Sequence, residues 1–416
     1  MRPGELDLSD AALFADDAPH EYFRLLRREA PVCWHEEAVG GGAGHWAVTR
    51  HEDLKFVSRS PALFSSYLGG SILREMTPEQ VDGNRALMIN MDPPQHSKYR
   101  RLVQRGFTPR MVNDLGPHIR TMATEIIDRV ARRGECEFVH EVSALMPMQV
   151  ICQMLGVARE DWEAVYDLSN KLVGFDDPEF QEHHGAGELL AMQLFQYAAR
   201  LNEKVRREPG DDLGTALVQG SVDGEHLTDL EFNSFFMLLA VAGNETTRTA
   251  TSHGVRLLAE HPAQRQRVLD DPRLLPLMIE EVLRYSSPLH YFRRTAAVDV
   301  ELNGARIRAG DKVTLWYPSA NRDEQVFRDP QAFDVGRAPN DHLAFGIGEH
   351  FCLGASLARL ELTILFEELL RRLPDIALDG PPVRLRSNFV NGIKSMPVRF
   401  TPEGRGATVA VPGTPG

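Results

Sequence analysis

Phe345–Gly354, with the sequence FGIGEHFCLG, places Cys352 in a glycine-rich loop directly before the helical pattern Ala355–Leu373. The amide groups and the dipole of a helix N-terminus favour a thiolate over a thiol. The glycines permit a tight turn and let a flat ligand approach the backbone closely. The stretch therefore predicts a cysteine sulfur placed to bind a metal.

Two other interpretations of this loop stay open on its residues alone. A single cysteine is often a structural residue, because free cysteine is among the most buried residue types. Cys352 and His350 also form a Cys–His pair of the kind used by nucleophilic hydrolases, although no third orienting residue or oxyanion loop accompanies them.

The loop resembles the signature of the cytochrome P450 family of haem-thiolate monooxygenases, Phe-Gly-x-Gly-x-His/Arg-x-Cys-x-Gly. The matching residues are Phe345, Gly346, Gly348, His350, Cys352 and Gly354. The resemblance implies that Cys352 is the proximal ligand of a haem b iron, with Phe345, Gly346 and Gly354 against the cofactor. It also implies the cytochrome P450 fold, a mainly α (α+β) fold with a large helical region, a small β-rich region and a long central helix across the haem.

A second motif of the family lies in Asp92–Arg100, DPPQHSKYR, where prolines begin a predicted helix and His96 and Arg100 lie one turn apart. Alone, this pattern equally describes a capped surface helix. The corresponding family helix contacts the haem, and Arg294 matches a family arginine that reaches a propionate from the sheet side. The resemblance implies that the propionates are bound by His96, Arg100, Arg294 and His350.

A third motif is Glu281 with Arg284, spaced i,i+3 on the predicted helix Leu274–Tyr285 and close enough for an ion pair. By itself such a pair usually lies on a solvated surface. It resembles the structural pair of the family, and Arg337 resembles its third member. We expect a buried carboxylate with two guanidinium partners, whose disruption would strand charge and prevent folding.

A long helix is predicted over Thr228–Glu260, starting with the capping box Thr228-Asp229-Leu230-Glu231. Its middle, AGNETT over residues 242–247, places glycine, a carboxylate and two threonines where a helix gains nothing from them. Helical spacing puts one face toward an apolar pocket. The residues on that face are Leu238, Leu239, Ala242, Glu245, Thr246 and Thr249. The alternative is a bent helix with threonine bonded to a carbonyl and glutamate in water.

This segment resembles the oxygen-binding motif of the family, Ala/Gly-Gly-x-Asp/Glu-Thr. The resemblance implies that Thr246 hydrogen-bonds the bound oxygen or its ordered water and that Glu245 takes part in proton delivery. Ala242 and Gly243 would leave room for the oxygen. The chemistry requires two protons and little bulk water.

The rest of the chain is predicted to be mostly helical, with a hairpin formed by Val32–Glu36 and His45–Thr49 and further strands at Asp299–Thr314 and Val398–Thr401. We find no repeat or long linker, so we expect an N-terminal segment (1–19), a single cytochrome P450 domain (20–401) and a disordered C-terminal tail (402–416). The other predicted helices are His20–Glu29, Gln95–Arg105, Arg110–Arg132, Met148–Leu155, Asp161–Val173 and Glu188–Arg207.

Composition narrows the class of protein. The 416 residues carry a formal charge of −13, which argues against a general nucleic-acid binder or an anionic-membrane binder. Four scattered cysteines make neither a disulfide scaffold nor a Cys-x-x-Cys site. The absence of a signal sequence or membrane anchor predicts a cytoplasmic protein.

The family topology implies a lipophilic substrate, because most residues expected near the pocket are apolar. These are Leu68, Leu87, Met88, Ile89, Leu238, Leu239, Leu289, Phe292, Phe389 and Val390, with the segment 176–196 also close. The motifs AGNETTR (242–248) and NGIKSMPV (391–398) resemble those of actinobacterial enzymes that act on steroids, terpenoids and branched lipids.

The function expected from the resemblance is hydroxylation of such a substrate with O2. Peroxide-using relatives typically replace the acid and alcohol, which this chain retains as Glu245 and Thr246. A peroxide-dependent peroxygenase, a haem protein that binds or senses without turnover, and a non-haem cysteine hydrolase remain the alternatives.

No flavin domain or second cysteine cluster is evident, so electrons must come from another protein. The soluble members of the family imply a ferredoxin and a ferredoxin reductase. Because the net charge would repel an acidic ferredoxin, we expect a local basic patch near the cysteine loop. Its predicted members are Arg100, Arg101, Arg105 and Arg359.

Overall fold

The computed structural model describes residues 1–38, 42–173, 177, 179, 186–210, 212–222 and 224–404. Residues 405–416 of the predicted tail lie outside these ranges. So does most of the predicted pocket segment before residue 186.

Helices dominate the described part of the chain, as predicted. The α-helices are α1 (His20–Glu29), α2 (His51–Ser58), α3 (Pro78–Asn84), α4 (Gln95–Val103), α5 (Pro109–Val130), α6 (Leu145–Met154), α7 (Trp162–Val173), α8 (Ala186–Arg207), α9 (Leu213–Gln219), α10 (Asp229–Glu260), α11 (Pro262–Asp270), α12 (Leu275–Ser286), α13 (Tyr317–Ala320) and α14 (Ala355–Arg372).

The strands form small sheets. They are β1 (Val32–His35), β2 (His45–Val48), β3 (Phe64–Ser65), β4 (Glu135–Glu137), β5 (Ser221–Val222), β6 (Glu225–His226), β7 (Tyr291–Ala296), β8 (Val300–Leu302), β9 (Ala305–Ile307), β10 (Lys312–Trp316), β11 (Ala377–Leu378), β12 (Val383–Arg384), β13 (Ile393–Ser395) and β14 (Pro397–Arg399). The largest described sheet has the order β1-β2-β10-β7-β3, and β1 and β2 pair antiparallel as the predicted hairpin.

The long helix α10 begins as the sequence predicts. The backbone N–H of Glu231 donates to Oγ1 of Thr228 at 3.2 Å, and the N–H of Thr228 donates to Oε2 of Glu231 at 2.8 Å. Along its length α10 packs against α6, α7, α8, α12 and α14. A helix with neighbours on all sides buries most of its circumference, which explains its weak amphipathic pattern.

The N-terminal residues pack against the large sheet. Leu8 and Phe14 are fully buried, and the ring of Phe14 stacks on Trp316 with 5.5 Å between ring centroids. They form one buried apolar cluster with Ala47, Tyr291 and Trp316 of the sheet.

Candidate active site

A single cavity brings most of the predicted site residues together. It lies between α10, α4, β7 and the cysteine loop that precedes α14. The predicted residues that line it are Met88, Ile89, His96, Arg100, Leu238, Leu239, Ala242, Gly243, Thr246, Leu289, Phe292, Arg294, Phe345, Gly346, His350, Cys352 and Gly354.

The cysteine loop is shaped by its glycines. Gly346 and Gly348 have φ angles of 67° and 77°, in the left-handed region that favours glycine. A side chain at Gly348 would place its Cβ 2.7 Å from the carbonyl oxygen of Ser58. The N–H of Cys352 donates to the carbonyl of Phe345 at 2.8 Å, which closes the loop just before α14 begins.

Burial raises the pKa of the Cys352 thiol, while the amide of Gly354 and the positive charges of Arg100 and Arg359 lower it. The helix-end effect expected from the sequence is therefore present, but desolvation outweighs it. A cation bonded to the sulfur would stabilise the thiolate in this environment.

The buried His96 and Arg294 and the half-buried His350 bring nitrogen donors to the cavity. Neither ring nitrogen of His96 has a hydrogen-bond partner among the described residues, and its ring centroid lies 4.2 Å from that of His350. Burial, together with the positive charges of Arg294, His96 and Arg100, lowers the pKa of His350 from 6.5 to about 2. His350 has one partner, the hydroxyl of Ser66 at 3.2 Å from its Nε2, and Arg294 donates to the carbonyl of Arg293 at 2.8 Å. The unpaired His96 and the remaining N–H groups of Arg294 suit a ligand that carries carboxylates.

Arg100 borders the same cavity and also supports the cysteine loop. Its guanidinium donates to the carbonyl oxygens of Phe351 at 2.7 Å and Glu349 at 3.3 Å. The predicted propionate contact thus comes with a second role that the sequence did not indicate.

On α10 the alcohol, Thr246, lines the cavity, and the acid, Glu245, does not. Thr246 lines the cavity and its hydroxyl donates to the carbonyl of Ala242 at 2.9 Å, the back-bonding weighed as an alternative. The prediction that Glu245 and Thr249 face the pocket is wrong. They lie beyond the edge of the stripe that lines it, and the buried carboxylate of Glu245 is bonded to Arg248 rather than to water.

The three predicted members of the structural ion network meet away from the cavity. Arg284 donates to both carboxylate oxygens of Glu281 at 2.7 and 2.8 Å, and Arg337 donates to the same oxygens at 3.0 and 3.1 Å. The side chains of Glu281 and Arg284 are 0% exposed. The predicted carboxylate with two guanidinium partners is therefore present in the structure.

The cytochrome P450 family model matches residues 99–374 of the chain. A methyl-branched lipid omega-hydroxylase of Mycobacterium tuberculosis is 41% identical over 406 residues, covering 95% of this chain and 94% of the relative. The chain belongs to the cytochrome P450 family. It is a monooxygenase, and the cofactor of its family is a haem with a thiolate ligand.

Two further relatives support the assignment to the cytochrome P450 family. A steroid C26-monooxygenase of Mycolicibacterium smegmatis is 38% identical, covering 99% of this chain and 97% of the relative. A cytochrome P450 of Mycobacterium marinum, solved in complex with pseudoionone, superposes with a TM-score of 0.89 at 40% identity, covering 96% of this chain and all of that one. The predicted P450 fold is confirmed.

The donor set of this cytochrome P450 fits a haem. The sulfur of Cys352, small residues on α10 and nitrogen donors that include the unpartnered ring of His96 all border one cavity. A flat metal complex with carboxylates would find a partner there for each of its groups. Among the described residues, every helix falls short of the length or apolar character that crossing a membrane requires.

Four predicted pocket residues do not line the cavity. Leu87 precedes the short turn that directs Met88 and Ile89 inward, and the backbone of Val390 pairs with that of Leu289. The ring of Phe389 packs behind the wall, on Tyr291 and Phe292. Leu68 is also outside the lining and is 48% exposed.

The sequence reasoning missed Tyr317 and Glu361, which both line the cavity. Nothing in the local pattern marks Tyr317. Glu361 interrupts the apolar stripe of α14 formed by Leu357, Leu362 and Leu365, a signal of the same kind as the one noticed in α10.

The predicted basic patch needs one correction. Arg359 donates to both carboxylate oxygens of Glu280 at 2.6 and 2.8 Å, so its charge is already neutralised. Arg101 and Arg105 are exposed, and Arg105 borders a surface groove together with Cys352.

Proposed function

We propose that this cytochrome P450 binds haem b through Sγ of Cys352 and hydroxylates a methyl-branched lipid or the side chain of a steroid. The observation that carries the proposal is the shared cavity. Cys352 and the α10 motif residue Thr246 border it together with the donors predicted to bind the propionates. His96, Arg100, Arg294 and His350 would hold the two propionates.

The bound haem would supply the iron at which O2 is reduced, so that one oxygen atom enters the substrate and the other leaves as water. The contribution of the protein is positioning and proton handling. Ala242 and Gly243 keep the adjacent wall free of bulk, and the hydroxyl of Thr246 can accept a hydrogen bond from water while it donates to Ala242. The apolar lining limits access of bulk water.

The substrate proposal is supported by the lining and by the relatives. Among the described lining residues, the acidic and basic side chains are Glu361 and those of the propionate set, and most of the remaining wall is apolar. Such a wall favours hydrocarbon over polar groups. The names of the relatives, a methyl-branched lipid omega-hydroxylase and a steroid C26-monooxygenase, fit that chemistry.

A ferredoxin reduced by a ferredoxin reductase is the proposed electron donor. A surface groove bordered by Arg100, Arg105, Phe351 and Cys352 brings the cysteine close to solvent, and Arg101, the next residue after Arg100 on α4, is exposed. Positive charge there favours an acidic partner.

All four cysteines are free, which supports a reducing, cytoplasmic location.

The decisive experiment is the carbon monoxide difference spectrum of the reduced protein. We expect the red-shifted band of a thiolate-bound haem in the wild type and its loss in Cys352→Ser. Cys33→Ser, at a half-buried cysteine outside the cavity, should keep the band. Retention of the thiolate band in Cys352→Ser would reject the ligand assignment.

The substrate class is tested separately by titrating the oxidised protein with a methyl-branched fatty acid, a sterol and a small aromatic alcohol. The first two should shift the haem absorption at low concentration. A shift with only the aromatic alcohol would exclude the proposed substrates without affecting the haem assignment.

A further inference from the structure

Three side chains from separate parts of the chain meet beside the cysteine loop. Arg359 on α14 donates to both carboxylate oxygens of Glu280 on α12, at 2.6 and 2.8 Å. Nε2 of His342, in the segment before the loop, lies 3.0 Å from Oε2 of the same carboxylate. None of these three residues lines the cavity that contains Cys352, so they act on a ligand there only through other groups.

The hydrogen bonds of His342 define the net charge of this network. Its Nδ1 atom accepts from the backbone N–H of Ala344 at 3.2 Å, so Nε2 carries the hydrogen that is donated to Glu280. The imidazole is therefore neutral. Arg359 and Glu280 contribute one positive and one negative charge, so the network is neutral at long range.

The positive member of the pair contacts the cysteine loop. The guanidinium carbon of Arg359 lies 4.4 Å from the centroid of the Phe345 ring, and the carbonyl of Phe345 accepts from the N–H of Cys352. Burial raises the pKa of the Cys352 thiol, and the positive charges of Arg100 and Arg359 oppose that rise. At the sulfur, the effect of the pair is thus the effect of its positive end.

Arg100 also brings positive charge to Cys352, but it has two other roles. It lines the cavity, and it donates to the carbonyl oxygens of Phe351 and Glu349 in the loop. A change at Arg100 would alter ligand binding and loop shape together with charge. Glu280 offers a cleaner change, because a glutamine there keeps the shape of the side chain and removes only its negative charge.

We propose that the Glu280–Arg359 pair sets the electron-donating strength of the Cys352 sulfur and thereby the reduction potential of the haem iron. Arg359 stabilises negative charge on the sulfur, while Glu280 holds the guanidinium against Phe345 and offsets part of its charge. One-electron reduction, with the electron supplied by the proposed ferredoxin, adds one negative charge to the haem and its ligand. Positive charge nearby therefore favours the reduced state, and negative charge disfavours it. The inference rests on the proposed ligation by Cys352.

The test is an equilibrium redox titration of the haem-loaded protein. Glu280→Gln removes the negative charge and should raise the midpoint potential, whereas Arg359→Met removes the positive charge and should lower it. The double variant should fall between the two. Arg371→Met is the matched control, because it removes a guanidinium paired with Glu368 on the same helix, about 18 Å further along its axis, and should keep the wild-type midpoint.

The second readout is the C–O stretching frequency of the reduced carbon monoxide complex, which falls as the sulfur donates more electron density. We expect a lower frequency in Arg359→Met and a higher one in Glu280→Gln. Midpoints that equal the wild-type value in both variants, or that move in the same direction, would overturn the proposal, and so would unchanged frequencies.

The carbon monoxide band of each protein is recorded first, because it separates two kinds of failure. A wild type without the thiolate band would reject the proposed function itself. Where one variant fails to hold haem, the other decides alone, and a wild-type midpoint in that variant overturns the role of the Glu280–Arg359 pair.

Discussion

Glu245 and Arg248 form a buried ion pair one turn apart on α10, with side chains that are 3% and 13% exposed. A second nitrogen of Arg248 donates to Oδ1 of Asn170 on α7 at 3.0 Å, and Nδ2 of Asn244 donates to the same oxygen at 3.2 Å. The acid of the oxygen-binding motif is thereby tied to α7 at the point where α10 passes the cavity.

The first prediction follows from the burial of this pair. Arg248→Met leaves the Glu245 carboxylate without its partner, so we expect the free energy of unfolding to fall by about 3 to 5 kcal/mol. Urea unfolding at neutral pH measures the change. The double variant Arg248→Met with Glu245→Gln removes the stranded charge and should regain part of the loss, whereas additive single effects would show that the two side chains do not interact.

The second prediction concerns Arg294 and its neighbour Arg293 on β7. Side chains alternate along a strand, so Arg294 borders the cavity while Arg293 does not. Losing a charge-assisted hydrogen bond to a propionate costs about 1.5 to 3 kcal/mol, or roughly 10- to 100-fold in haem affinity. We expect Arg294→Gln to lose haem faster than the wild type when an apoprotein competes for it. Arg293→Gln should keep the haem, and equal loss from both variants would contradict the assignment.

The third prediction is a pH dependence at Glu280. Burial opposes ionisation of this residue, but hydrogen bonds from Arg359 and His342 lower the pKa of its carboxyl from 4.5 to about 2. Because the folded-state pKa is the lower one, the stabilisation is complete above pH 4.5 and is lost as the pH falls toward 2. Glu280→Gln should thus be less stable than the wild type at neutral pH, with a difference that shrinks on acidification. Unfolding midpoints across this range measure it, and Glu125→Gln, at an exposed position on α5, should show no such trend.

The fold was largely predictable because its signals are local. The capping box at Thr228 fixes the start of α10, and the glycines around Cys352 fix the loop, whatever packs around them. Helical spacing alone put Glu245 near the cavity face, but it cannot show that Arg248 and Asn170 hold the carboxylate elsewhere. The pairing of Arg359 with Glu280 could not be predicted from the sequence for the same reason, because it joins residues far apart in the chain. Phe389 was wrongly predicted to line the cavity. An aromatic residue has the same sequence pattern whether its side chain lines a cavity or packs behind the cavity wall.

The last prediction concerns the docking of the electron donor beside the cysteine loop. Arg101 on α4 and Arg105 at the groove beside Cys352 are exposed to solvent. Arg359 is bonded to Glu280 and should contribute little to long-range attraction. Arg101→Glu or Arg105→Glu should slow reduction by ferredoxin and flatten its salt dependence, because both variants replace attraction with repulsion. Stopped-flow reduction at several ionic strengths measures both effects, and substrate affinity should not change. Arg24→Glu makes the same change of charge on α1, which packs against α13, and should reduce at the wild-type rate. If Arg101→Glu and Arg105→Glu behave like Arg24→Glu, the ferredoxin docks on another face.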